Sequence, residues 1–194
     1  MKTVDTLIHT RWIVPVEPDD VVYEHHSLAV NEGRIVDLLP TSQARAAYRG
    51  DVEHDLDQHL LIPGLVNAHT PAAMSLLRGL ADDLPLNEWL NNHIWPAESR
   101  WVNEEFVHDG TQLAIAEMLR SGTTCFNDMY FYPDITARVA AHCGMRACVG
   151  LIVIDFPTVW AKDADEYISK GLAVHDRYRG DPLVRAVFAP HAPY

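Results

Sequence analysis

Four apolar runs in this chain each close on a residue able to do chemistry. His69 ends PGLVNAH, Asp128 ends GTTCFND, Asp155 ends RACVGLIVID and His191 ends LVRAVFAPH. An imidazole can ligate a metal or exchange hydrogen bonds with a heterocycle. A carboxylate can ligate, move a proton, or cap the helix that follows it. One polar strand end carries little meaning. Four in register suit one shared site, because parallel α/β sheets gather ligands at the C-terminal edge of their strands. The two histidines fit such a site better than the two aspartates, for which helix capping competes. His69 is ambiguous in itself. It follows Pro63-Gly64 closely, as a turn residue does, and two places on, at the spacing of a second metal-ligating histidine, stands Pro71.

A second group lies in DDLPLNEWLNNHIWPAE, residues 82–98. It places Trp89, His93, Trp95 and Glu98 in a short helical pattern between and around Pro85 and Pro96. One reading is a lid that packs aromatic rings on the rim of a sheet. The other is a substrate wall: an indole offers a flat apolar face and one N–H donor, and Glu98 can accept two hydrogen bonds from a vicinal diol. No dinucleotide fingerprint, phosphate loop, nucleophile elbow or H-E-x-x-H appears. Ser75 and Ser121 lack the setting of activated nucleophiles. Cys125, Cys143 and Cys148 form no C-x-x-C pair, and read as buried thiols of a reduced, intracellular protein. The other nine histidines have no comparable setting.

These residues need elements to position them. Residues 1–58 read as a small β-rich unit. It holds a strand in DTLIHTRWIVPVE, a hairpin in HSLAVNEGRIVDLLP turning at Asn31-Glu32-Gly33, a helical TSQARAAYRG ending at Gly50, and a lead-in, VEHDLDQHLLIPG. From residue 59 the rhythm is strand then helix, with strand runs at 60–66, 122–129, 146–155 and 183–191. In NEEFVHDGTQLAIAEMLRSG, Asn103 is the expected N-cap and Gly122 the stop. Phe106, Leu113, Ile115, Ala116 and Leu119 fall on one side. PDITARVAAHCG begins a second helix at Pro133, and DADEYISKGLAVHDRYRG ends a third at Gly180. Apolar strands alternating with helices argue for a parallel sheet covered on both faces. Four such units make a short open sheet or half of a (β/α)8 barrel, whose full form takes about 250 residues. Tyr194 follows the fourth run directly, so more chain is expected beyond it.

LIPGLVNAHTPAAMSLLRGLADDLPLNEWL, HIWPAE, GTTCFNDMY, GMRA and FAPHAPY, in that order, resemble the amidohydrolase superfamily. The closest resemblance is to its 5-methylthioadenosine/S-adenosylhomocysteine deaminase branch, through essentially the whole chain. The resemblance implies an α/β fold: the N-terminal half of a (β/α)8, TIM-like barrel in residues 59–194, preceded by part of a small composite β-sandwich in residues 1–58. It implies one divalent metal, zinc or iron, bound through an H-x-H after the first barrel strand and by later ligands. His69 matches the first histidine and Pro71 occupies the place of the second. The later ligands and the proton-shuttling glutamate are expected beyond Tyr194, so no catalytic residue is expected within this chain. Trp89, Glu98 and His191 match nucleoside-contacting positions, Glu98 at the ribose hydroxyls and His191 at the purine. Some relatives hold a homocysteine carboxylate with arginines in and after the third strand. CVGLIVID has none, which leaves the tail preference open.

The implied activity is metal-dependent hydrolytic deamination of adenine nucleosides (5-methylthioadenosine, S-adenosylhomocysteine, adenosine) to the inosine analogue and ammonia. Two alternatives stay open. One is a non-catalytic nucleoside binder in which Pro71 marks a decayed metal site. The other is an amidohydrolase acting on another aminated heterocycle, such as guanine or a triazine.

Bulk composition narrows the partners. The formal net charge of −12 disfavours nucleic acid, which needs clustered cations, and anionic membranes likewise. No run reaches the roughly 18 apolar residues of a membrane span, and MKTVDTLIHTRWIVPVEPDD has no basic-then-apolar leader. A cytoplasmic protein with a small-molecule nucleoside substrate is expected, with no nucleic-acid or membrane partner, and homo-oligomeric when intact.

Overall fold

A computed structural model describes residues 1–191. The chain divides into two compact units, Met1–Pro63 and Gly64 onward.

The first unit is a four-stranded sheet in the order β3-β2-β1-β4, formed by β1 (Lys2–Ile13), β2 (Tyr23–Asn31), β3 (Arg34–Pro40) and β4 (Tyr48–Leu61), with α1 (Thr41–Ala47) before the last strand. The expected hairpin is β2–β3. Its Glu32 and Gly33 have φ of 49° and 70°, the paired positive values of a two-residue turn whose twist matches its strands. Asp5 accepts from Glu32 N at 2.6 Å. β1 buries Val4 and Leu7 in one small core with Ala29 and Ala44. Two expectations change here. Residues 51–61, read as a lead-in, continue β4 in parallel with β1. That strand is exposed at nearly every position, so it has no apolar alternation to betray it. The apolar run 60–66 is also not one strand. Leu60 and Leu61 end β4, Pro63 supplies no N–H, and the next strand starts at Leu65. The first unit therefore extends past residue 58 to Pro63.

The second unit is a parallel sheet in the order β5-β6-β7-β8: β5 (Leu65–Thr70), β6 (Thr123–Met129), β7 (Arg146–Val153) and β8 (Val184–Pro190). After β5 come a 3-10 turn (Ala72–Leu77), α2 (Leu86–Trp89), a π turn (Leu90–Ile94) and α3 (Trp95–Trp101). Then α4 (Glu104–Arg120), α5 (Pro133–His142) and α6 (Ala164–Tyr178) link the strands. The core gathers Val107, Ile115, Phe126, Val149 and Tyr167. This is a mixed α/β fold, and its four strands do not close a barrel.

α4 starts as expected, with Asn103 Oδ1 accepting from Phe106 N at 2.9 Å, but its buried face differs from the expected one. Val107, Gly110, Thr111, Ala114, Ile115 and Met118 are buried, whereas Leu113 and Leu119 are exposed. The helix buries small residues, Gly110, Thr111 and Ala114, beside larger ones. A Cβ on Gly110 would lie 2.5 Å from Ala73 O, so α4 and the 3-10 turn meet backbone to backbone. The cysteines are all free, and none is buried as expected: Cys125 and Cys148 are half-buried and Cys143 is exposed. No helix among the described residues is long and apolar enough to cross a membrane.

Candidate functional site

The C-terminal strand ends and the 86–101 segment enclose one cavity of about 270 Å³, lined by His69, Pro71, Trp89, Glu98 and His191 together with apolar side chains. Residues set more than a hundred positions apart in the chain thus share a wall.

Each strand end delivers its residue by an identifiable device. β5 loses regular pairing with β6 between Asn67 and Thr70, and Asn127 Nδ2 fills the gap by donating to Ala68 O at 3.1 Å. His69 sits at this irregularity. Thr70, before Pro71, remains extended as the last residue of β5, the geometry that a following proline favours. Pro71 O then accepts from Met74 N at 2.9 Å and opens the 3-10 turn. Beyond β8, His191 N donates to Val153 O at 3.1 Å and carries the ladder one residue further. Burial lowers the His191 pKa, which keeps its imidazole neutral at physiological pH, able to donate from one ring nitrogen and accept at the other.

The 86–101 segment is a continuous helical path with a π turn inside it. Trp95 N donates to Leu90 O, five residues back, next to Pro96, whose nitrogen has no proton to give. Trp89 and Glu98 reach the cavity from either side of that turn. Glu98 is 8% exposed, and its Oε1 accepts from the Tyr130 hydroxyl at 2.7 Å. Burial raises the Glu98 pKa, and the Tyr130 bond pulls it back.

The two aspartates do not join the cavity wall. Asp155 is exposed. Asp128 is buried, and its Oδ1 accepts from Ala72 N at 2.7 Å, so it caps the 3-10 turn rather than the helix after its own strand. Its Oδ2 and the buried Thr136 Oγ1 have no partner in hydrogen-bond geometry, although the hydroxyl still helps to offset burial. Burial pushes the Asp128 carboxyl up to about 7.

Sequence reasoning missed Tyr130 and the loop after β7. Tyr130 directly follows β6 in NDMY, where a tyrosine reads as core. In the loop, Phe156, Thr158 and Val159 line the cavity. Tyr132 donates to Val159 O at 3.0 Å, Thr158 pairs with the Tyr167 hydroxyl, and the Trp95 and Phe156 rings meet edge-on at 6.3 Å. None of these contacts has a local motif.

No three His, Cys, Asp or Glu side chains among the described residues are grouped so as to hold a metal ion. Pro71 has no ligating side-chain atom. The described residues alone do not fit a complete metal centre.

Residues 60–194 match the family model described as the amidohydrolase family. The chain belongs to the amidohydrolase family. Over 190 residues it is 54% identical to a 5-methylthioadenosine/S-adenosylhomocysteine deaminase of Saccharophagus degradans, covering 98% of this chain and 43% of that protein. It is 49% identical to the protein of the same name from Teredinibacter turnerae, again over 43% of its length. Among solved structures, an adenosine deaminase of Xanthomonas campestris with bound zinc is similar over the whole chain and 44% of its own, with a TM-score of 0.97 and 52% identity. The zinc-complexed atrazine chlorohydrolase of Arthrobacter aurescens, at 17% identity and a TM-score of 0.84, over 97% of this chain and 47% of its own, shares the fold. This amidohydrolase chain thus spans less than half the length of the relatives that it matches.

Proposed function

We propose that this chain is the nucleoside-holding part of a hydrolytic deaminase of adenine nucleosides, with 5-methylthioadenosine, S-adenosylhomocysteine and adenosine as the substrate class. The observation that carries this reading is the single cavity shared by His69, Trp89, Glu98 and His191. An ionised Glu98 suits the ribose diol. A neutral His191 suits a purine nitrogen. Trp89 gives the base or sugar an apolar face, and the surrounding Ile94, Ile152 and Ile154 keep water away from these polar contacts. The similarity to deaminases of that name supports the same class.

In this reading the parallel sheet is the first four strands of an eight-stranded barrel. Leu65, Val66, Val187 and Phe188 are exposed on its two outermost strands, β5 and β8, as expected of surface that further strands cover. The chain on its own would aggregate or pair with a complementing half, and a well-behaved monomer in sedimentation would count against the half-barrel. A divalent metal would take His69 as one ligand and needs others outside the described residues. The chemical step is therefore assigned to the rest of the protein.

Pro71 favours a second reading, in which the protein binds nucleosides without turning them over. A substrate panel with ammonia release as readout separates the two. The first reading expects release from 5-methylthioadenosine, S-adenosylhomocysteine or adenosine. Saturable nucleoside binding without ammonia supports the second, and release from guanine or a triazine alone overturns both.

A further inference from the structure

We propose that Tyr130 is a positioning residue for ribose recognition: its hydroxyl anchors one oxygen of Glu98, so that the carboxylate presents its remaining acceptor sites to a vicinal diol. The inference rests on the nucleoside reading above and adds a residue to it.

The bond joins two separate elements. Tyr130 stands just after β6 and Glu98 on α3, and both line the cavity. Tyr130 is 4% exposed and Glu98 8% exposed, so water does not readily replace the 2.7 Å bond between them. A carboxylate offers about four acceptor positions on two oxygens. One is taken by Tyr130, which leaves Oε2 and the second site of Oε1 for two hydroxyls. Tyr130 serves only as donor here. Burial first, and then the negative charge of Glu98, push its phenol pKa far above the ordinary value, so the proton stays on the oxygen.

The same bond keeps Glu98 a good acceptor. Burial favours the protonated carboxyl, and Tyr130 is what opposes it. The other titratable groups on the cavity are His69 near the end of β5 and His191 beyond β8. The charge of Asp128 on β6 adds to the rise of the Tyr130 phenol pKa. Removing the hydroxyl leaves burial unopposed. Glu98 then takes up a proton at higher pH and accepts one hydrogen bond fewer.

Calorimetric titration of the full protein tests this, with 5-methylthioadenosine and its 2′-deoxy analogue as probes. Tyr130→Phe is expected to weaken riboside binding about tenfold and to weaken deoxy-analogue binding much less. It should also move the acid limb of riboside binding to higher pH. In a Glu98→Ala background, adding Tyr130→Phe should cost nothing further. Equal losses for both probes, an unmoved acid limb, or additive losses in the double variant would each overturn the proposal. Native protein that binds the riboside under any of those outcomes leaves the nucleoside reading standing. Native protein that binds neither probe overturns both.

Discussion

The two units of this chain bury polar side chains to opposite ends. In the first, His9 Nδ1 lies 2.6 Å from Ser27 Oγ, and Ser27 donates onward to Thr41 Oγ1 at 3.0 Å. Since the Ser27 proton goes to Thr41, the imidazole donates from Nδ1. Burial, and then Arg45, lower the His9 pKa, so the ring is neutral. This chain of bonds ties β1, β2 and the start of α1 together and is spent on the fold. In the second unit, Glu98 is tied at one oxygen and faces a cavity formed by the ends of several elements. Burial and polarity are common to both. What separates a site from a structural network is convergence: residues from β5, α2, α3 and the end of β8 meet around open volume, and those of the first unit meet one another.

The largest effect expected from this contrast lies at Asp128, which shares features of both. Its Oδ1 bond to Ala72 N is structural, yet burial holds its carboxyl near 7. The unfolded carboxyl releases its proton near 3.8. Folding therefore takes up a proton between those values, and stability falls as pH rises through the window. The loss is on the order of 4 kcal/mol across it. Asp128→Asn keeps an acceptor for Ala72 N and should flatten the dependence, as followed by denaturant unfolding from pH 4 to 8. An unchanged slope would mean that Asp128 is hydrated and belongs to the site after all.

A smaller effect is expected in the first unit. Ser27→Ala strands His9 Nδ1–H and costs about 1–3 kcal/mol of stability, with nucleoside affinity unchanged. A loss of affinity there would break the division of labour between the two units.

Much of this was legible because it follows from strong local signals. The hairpin at Glu32-Gly33, the Asn103 cap and the parallel strands β6, β7 and β8 follow from turn chemistry, capping and apolar runs. β4 was hidden because an exposed strand needs no apolar alternation. The face of α4 is legible only in part: Phe106 and Ile115 pack on the core, but Gly110 and Thr111 are buried while Leu113 and Leu119 are not. Size and hydrophobicity do not report a close backbone approach. His69, Trp89, Glu98 and His191 stood out as polar or aromatic residues at strand ends and rims. Tyr130 did not, since only its partner 32 positions away gives it meaning. Asp128 had the right position and another role.

In the proposed function an adenine nucleoside sits against Glu98 in the 270 Å³ cavity. The most direct test is calorimetric titration of the native protein and of Glu98→Gln with 5-methylthioadenosine. Saturable binding by the native protein and about a hundredfold weaker binding by the variant are expected, with stability held or raised because a buried carboxyl has been removed. Native protein that gives no binding heat, or a variant that binds as tightly as the native protein, would contradict that reading.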